Sequence, residues 1–264
     1  MSELTSVAHV GPSAAFFDLD RTLISGSSAF TLALEARAQG LIPTGQFVKD
    51  ALGAAWFKLA GASDDTTNEV RERILGAVKG LRQEDLIALN GEILPRLLAR
   101  IRPEARRLLD LHRHARRATY IVSASPVEIV GPLAMSLGMT GGIGTCSEVV
   151  DGVYTGELVG PFCYGVGKVE AITDLARWEG FDLAQCWAYS DSAGDLPMLE
   201  AVGHPVAVNP DARLERIARR QGWPIVIFSQ RTKSVIRRTT AAVATTAVAA
   251  AGFGAGWKFR SLRS

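Results

Sequence analysis

Ala14-Ala15-Phe16-Phe17-Asp18-Leu19-Asp20-Arg21-Thr22-Leu23-Ile24 is the stretch on which the reading of this chain turns. A short apolar run ended by polar residues marks a strand buried on both faces, as in the centre of a parallel sheet. Asp18 and Asp20 then stand at the strand's carboxyl end, where open α/β sheets gather their ligands. As alternate residues of an extended segment they point the same way, so two carboxylates can share one pocket. If the chain curls there, a backbone carbonyl joins them. That donor set suits a small hard cation such as Mg2+, which takes oxygen ligands and commonly only one or two carboxylates. A plain surface turn after a strand is the alternative, and the other stretches must decide.

A length of 264 residues allows one large domain or a core with a smaller domain inserted. Apolar residues at 47% and charged residues at 21% make most of the chain globular rather than disordered. With 29 basic and 27 acidic residues the formal charge is +2, too balanced for a nucleic-acid partner. Cys146, Cys163 and Cys186 lie far apart with no C-x-x-C spacing, which points to reduced thiols in a cytoplasmic protein rather than a zinc site or a disulfide framework. The first thirteen residues contain Glu3 and no early cationic segment or continuous apolar region, which argues against a secretory signal.

Working outward, Ser25-Gly26-Ser27-Ser28 loosens the chain before a helix over Ala29–Ala38 that ends at Gly40. From Thr44 to about Arg100 apolar residues recur at helical spacing with no strand between them, so Ala29 to Ile101 reads as a small helical domain inserted between the first and second strands. The α/β rhythm resumes at Pro103 with a basic helix, then a strand Ala118–Val122 ending in Ser123-Ala124-Ser125-Pro126. A hydroxyl at a strand end, with Pro126 in the first turn of the next helix, is well placed to grip an anion. Ser123 is the residue favoured for that task, and Ser125 reads as an N-cap. Asp151-Gly152 marks a hairpin within Cys146–Leu158 that covers one edge of the site. Gly165-Val166-Gly167-Lys168 opens a helix, and a lysine in a first turn opposes the helix dipole unless an anion is near. Trp187–Tyr189 is a further strand, again ending in aspartates, Asp191 and Asp195, with Gly194 allowing a sharp turn and Pro197 starting a helix. Val206–Val208, a helix over Arg213–Arg220 and Ile225–Phe228 complete strands alternating with helices, hence a parallel sheet covered on both sides.

Asp18 and Asp20, Ser123, Lys168, and Asp191 with Asp195 occur in an order that resembles the haloacid dehalogenase (HAD) superfamily. D-L-D-R-T-L matches its first motif, V-S at 122 and 123 its second, Lys168 its third and S-D-S-A-G-D its fourth, over roughly residues 14 to 228. More narrowly, the chain is similar to the phosphoserine phosphatase branch and its SerB-like hydrolases of subfamily IB. The resemblance implies an α/β fold: a Rossmann-like parallel sheet core over 1–28 and 102–230, an inserted α-helical cap of type C1 over 29–101, and a C-terminal helical tail over 231–264. It implies Asp18 as nucleophile and Asp20 as general acid and base. Mg2+ would be held by Asp18, the Asp20 carbonyl and Asp191, with Asp195 in support and Thr22, Ser123 and Lys168 on the phosphoryl group. Arg73 falls where the family's cap arginine binds a substrate carboxylate.

Departures from the family pattern bear on substrate. The acidic residue that binds the amino group of serine in phosphoserine phosphatases is Ser27 here, which would leave an ammonium unpaired in the pocket. Arg21 replaces a small residue, and Gly194 stands where asparagine is common. Phosphoserine is therefore one candidate among several phosphomonoesters, lipid phosphates included, and a membrane-tethered phosphate-binding module without turnover is the rival from another class. The nineteen uncharged residues 239–257, with eight alanines, four threonines and three glycines, are long enough to cross a bilayer but weakly apolar. A helix attached to the inner face of the membrane, a helix packed on the core and a mobile extension all stay open for it.

Overall fold

A computed structural model describes residues 12–41, 71–72, 75–76 and 78–228. Arg73, the tail segment 239–257 and much of the insertion's first half lie outside them. The chain divides into two compact units, Met1–Val226 and Ile227–Ser264, and the fold and site below belong to the first. Among the described residues no helix is long and apolar enough to cross a membrane.

The four residues of β1 (Ala14–Phe17) are at most 1% exposed, as their uninterrupted apolar run predicts for a strand covered on both faces. β1 lies between β2 (Ala118–Pro126) and β6 (Trp187–Ser190), parallel to both, with Phe17 opposite Ile121 and Tyr189. With β3 (Gly141–Thr145), β7 (His204–Val208) and β8 (Ile225–Val226) they form a six-stranded sheet in the order β3-β2-β1-β6-β7-β8, every pair parallel. One face carries an aliphatic and aromatic cluster that includes Phe16, Tyr120, Ile172, Met198 and Leu214. On the other, the Phe17 and Tyr189 rings stack 4.5 Å apart, with His112 edge-on to both.

Between β1 and β2 the chain leaves and returns through one seam. Ser25 donates to the Arg100 carbonyl and Arg102 to the Leu23 carbonyl, both at 2.9 Å, so exit and re-entry lie side by side. The insertion begins with α1 (Ser28–Ala38) and its later part holds α2 (Gln83–Ala88) and α3 (Asn90–Leu98); α4 (Pro103–His114) then leads into β2.

The described part of the insertion is not helical throughout, contrary to its periodicity. Gly80, at φ 82°, turns the chain out of helix, and residues 80–83 run along the hairpin of β4 (Ser147–Val150) and β5 (Val153–Leu158). Gly80 donates to the Tyr154 carbonyl at 2.9 Å, Tyr154 to Leu81 at 3.0 Å and Gln83 to Gly152 at 2.9 Å. Three hydrogen bonds thus override local helical patterning. The hairpin turn itself, Asp151 at φ 50° and Gly152 at φ 78°, is the type its sequence calls for.

Candidate active site

β1 delivers Asp18 at its end, where the Asp18 amide still donates to the Tyr189 carbonyl of β6 at 2.9 Å. The next residues leave the sheet in a tight loop: Leu23 and Ile24 both donate to the Leu19 carbonyl, and Arg21 adopts φ 63°, a left-handed conformation rare for a residue with a Cβ. That loop buries the Thr22 side chain and leaves its hydroxyl with no hydrogen-bond partner. An orphaned buried hydroxyl is costly, and one in the loop that carries Asp18 and Asp20 is suited to an incoming polar group.

Lys168 is the centre of charge. It sits in the first turn of α6 (Val166–Glu179), whose N-cap Gly165 takes φ 53° and ψ −119°. A side chain at Gly167 would run into the Phe162 carbonyl, so the approach to this helix is too close for any other residue. The ammonium reaches Asp18 Oδ1 at 2.7 Å and Asp195 Oδ2 at 2.8 Å, and the residue is 2% exposed. Burial works against its charge, but Asp18 and then Asp195 outweigh it and hold the amine protonated. The mildly unfavourable meeting of lysine and helix dipole is thereby reversed.

The third strand end, after β6, places Ser190, Asp191 and Asp195. Ser190 donates to Asp195 Oδ2 at 2.7 Å and fixes the carboxylate that faces Lys168. Asp211 braces the loop from behind: its side chain accepts from Ala193 at 2.9 Å and its amide donates to the Asp191 carbonyl at 2.8 Å. Gly194 is not in a left-handed turn; a Cβ there would lie 2.8 Å from the Tyr164 hydroxyl, so its smallness serves packing rather than a sharp bend. Ser123, the sixth of the nine residues of β2, is buried and its hydroxyl accepts from the Ser125 amide at 3.2 Å. Ser125 does not cap the next helix, α5 (Val127–Ser136); its hydroxyl lies 2.8 Å from that of Ser28. The buried Cys163 thiol, bonded to the Ser123 backbone and pushed up to about 12 mainly by burial, stays protonated beside Lys168 and Asp195.

The carboxylates outnumber the cations. Asp18, Asp20, Asp191 and Asp195 face Lys168 and Arg21, whose Nε lies 2.6 Å from Asp191 Oδ2. Burial raises Asp18 well above the ordinary carboxylate range against the pull of Lys168, with Asp195 and Asp191 adding to the rise. Asp191 is pushed up to about 7 by burial, which Arg21 only partly offsets. Asp20 is raised by burial too, against hydrogen bonds from Ser28 and Ser27. Among the described residues no three acidic, histidine or cysteine side chains form a ready-made metal cage. Two buried carboxylates short of positive charge, Asp18 and Asp191, nevertheless fit the needs of a hard cation such as Mg2+.

Sequence reading singled out Asp18, Asp20, Thr22, Ser123, Lys168, Asp191 and Asp195; the structure bonds Lys168 to Asp18 and Asp195, brings its charge to bear on Asp20 and Asp191, and places Thr22 in the loop after β1 and Ser123 in β2. It missed Ser190, Asp211, Ser28 and the partnership of Ser125. Asp211 carried a signal, an aspartate just ahead of a helical run, and it does cap α7 (Ala212–Gln221) through the Arg213 and Leu214 amides.

Residues 15–200 match the family model for haloacid dehalogenase-like hydrolases. A probable phosphatase of Mycobacterium tuberculosis is 41% identical over 238 residues, covering 89% of this chain and 83% of that protein. Phosphoserine phosphatase SerB1 of the same organism is 41% identical over 224 residues, covering 81% and 70%. A solved structure of a protein of unknown function from Bordetella pertussis Tohama I superposes with a TM-score of 0.71 at 26% identity, covering 81% of this chain and 98% of that one. Sheet order, strand-end carboxylates, the buried lysine and these likenesses agree, and the chain belongs to the haloacid dehalogenase-like hydrolases.

Proposed function

We propose that this protein hydrolyses phosphomonoesters through an aspartyl phosphate on Asp18, in a reaction that depends on Mg2+. The observation that carries the reading is the Lys168 ammonium, shut away from solvent and bonded to Asp18 Oδ1 at 2.7 Å. A carboxylate beside a fixed buried cation can approach an anionic phosphoryl group that would otherwise repel it. One Asp18 oxygen attacks phosphorus as the bond to the ester oxygen breaks, and Asp20 gives that oxygen a proton. Asp20, now ionised, takes a proton from the water that attacks the acyl phosphate, which releases inorganic phosphate and restores Asp18. Thr22, Ser123 and Lys168 meet the charge that spreads over the transferring group. Asp18, Asp191 and the Asp20 carbonyl would hold Mg2+, which supplies further positive charge to the phosphoryl oxygens. Asp195, bonded to Lys168 and Ser190, keeps the ammonium in place.

Residues 29–101 serve in this reading as a cap over a core made of 1–28 and 102–230, and the seam at Leu23–Ser25 and Arg100–Arg102 is where one passes into the other. Substrate choice follows from Ser27, which spends its hydroxyl on the N-cap of α1, accepting from Phe30 at 3.3 Å. It offers no carboxylate to an ammonium, so phosphomonoesters without an amino group, lipid phosphates among them, are preferred to phosphoserine. The likeness to a relative named phosphoserine phosphatase supports the rival choice.

An aryl phosphate assay with and without Mg2+ tests the reaction. Asp18→Asn should lose at least about a thousandfold in kcat, and equal rates with and without metal would remove the proposed chemistry. A panel of lipid, sugar and amino-acid phosphates tests the substrate. A preference for phosphoserine of about a hundredfold in kcat/KM, roughly 2.7 kcal/mol, would overturn the reading of Ser27.

A further inference from the structure

α1 is an unusual helix, because the face it buries is polar. Ser28, Thr31 and Glu35, at helical spacing, are 2%, 4% and 3% exposed. Each has its own partner: Ser125 for Ser28 at 2.8 Å, Arg100 for Thr31 at 2.9 Å, and Arg96 for Glu35 at 3.1 Å. Apolar contacts tolerate small slips of a helix, whereas two hydrogen bonds and an ion pair at different heights fix its rotation and its advance together. The first of them stands next to the reaction.

Ser28 acts on Asp20 through both its backbone and its side chain. Its backbone amide donates to Asp20 Oδ1 at 2.8 Å, and its hydroxyl lies 2.8 Å from the Ser125 hydroxyl. The Ser125 amide in turn donates to the Ser123 hydroxyl at 3.2 Å. A continuous line therefore runs from Asp20 through Ser28 and Ser125 to Ser123, across 97 residues of sequence between its two middle members. In the chemistry proposed above neither Ser28 nor Ser125 is given a contact with phosphorus or the transferring oxygens, and Ser28 acts through Asp20. We propose that Ser28, held by Ser125, is the positioning residue for Asp20, so that the proton donor takes its geometry from the first helix of the insertion as well as from the strand that bears it. Resting on the reading of Asp20 as general acid, the proposal goes beyond it by saying what aims that acid.

Loss of the Ser28 hydroxyl frees the end of α1 from β2 and lets the amide drift off Asp20, while leaving Asp18, Lys168 and Thr22 in place. The cost then falls on substrates whose leaving oxygen needs a proton. An alkyl phosphate leaves as a strongly basic alkoxide, whereas a nitrophenyl phosphate leaves as a stable phenolate that needs little help. The ratio kcat/KM reports steps up to transfer of phosphorus to Asp18, so it isolates the acid role of Asp20 from its later role toward water.

The experiment compares wild type, Ser28→Ala, Ser125→Ala and Ser28→Thr in the full chain on glycerol phosphate and nitrophenyl phosphate with Mg2+. Ser28→Ala is expected to lower kcat/KM for the alkyl ester by about tenfold and for the aryl ester by about twofold or less. Ser125→Ala should reproduce the pattern from the other side of the same contact, so a folding failure of one variant leaves the other to decide. Ser28→Thr keeps the hydroxyl and should restore most of the alkyl rate. In an Asp20→Asn background, Ser28→Ala should cost nothing further, because there is no proton left to aim. Equal losses on both esters, or a full further loss in the Asp20→Asn background, would overturn the proposal while leaving the phosphatase reading intact. A wild type without metal-dependent turnover would bring down both.

Discussion

Lys168 and His112 are both shut away from solvent, at 2% and 0% exposure, and the protein resolves the burial of each in the opposite way. Lys168 is kept charged by two carboxylates at hydrogen-bond distance. His112 is kept neutral: burial, and secondarily the Arg117 charge, lower it to about 4. Its Nε2 meets only the Tyr189 hydroxyl, at 2.8 Å, and the rings of Phe17, Trp187 and Tyr189 stand edge-on around it. The same strands serve both, since Phe17 precedes Asp18, and Tyr189 lies two residues before Asp191. Beside the same strands, the group paired with carboxylates keeps its charge and the group set among aromatic rings gives it up.

Removing the charge should have the largest effect on stability. Lys168→Met leaves Asp18 and Asp195 buried without their cation, a loss of about 3–5 kcal/mol in denaturant unfolding. Adding Asp195→Asn should recover part of that loss, because one uncompensated carboxylate disappears. A cost below about 1 kcal/mol for Lys168→Met would mean that the ammonium is solvated and that the contrast with His112 fails.

The next effect is a pH dependence with a definite sign. In the folded protein His112 gains its proton only near pH 4, whereas in the unfolded chain it does so near 6.5. Between those values the unfolded state binds more protons, so His112 withdraws stability as pH falls from 6.5 toward 4, reaching about 3 kcal/mol. Asp191, raised to about 7, works in the opposite direction, so the test is the difference between wild type and His112→Gln. Wild type should lose stability on acidification relative to that variant, and parallel unfolding curves would show that His112 is protonated or hydrated in the fold.

These two residues also mark how far the sequence could be read. Lys168 was legible because a glycine-flanked lysine at a helix start between two aspartate-bearing strand ends is a local pattern. His112 was not, since a histidine in a basic helix carries no mark of the aromatic rings it will meet. Asp18, Asp20, Asp191 and Asp195 were legible for another local reason: each follows an apolar strand within a few residues. Ser28 and Ser125 looked like ordinary turn and cap residues, and their pairing appears only when segments 97 residues apart come together. The hairpin contact of residues 80–83 was hidden likewise, because helical spacing says nothing of a strand partner that arrives from Gly152–Tyr154. Element type followed from spacing within one segment, while the bonds that aim the site run between segments.

Arg21 tests whether every charge in the cluster is as indispensable as that of Lys168. Its guanidinium is bonded to Asp191 Oδ2 at 2.6 Å, but its side chain is 49% exposed, so the pair contributes less than about 1 kcal/mol. Its φ of 63° costs about as much in the opposite sense, and glycine would remove that cost. Arg21→Gly should therefore change stability without divalent cation by no more than about 1 kcal/mol. Under the proposed chemistry Mg2+ needs an oxygen of Asp191 that Arg21 now holds, so the variant should bind Mg2+ about three- to tenfold more tightly. Calorimetric titration, or the Mg2+ dependence of Tm, reads this without turnover. An unchanged or weaker midpoint would mean that cation and arginine use different oxygens. A tighter one would separate a charge at Asp191 that a metal can replace from a charge at Lys168 that has no substitute.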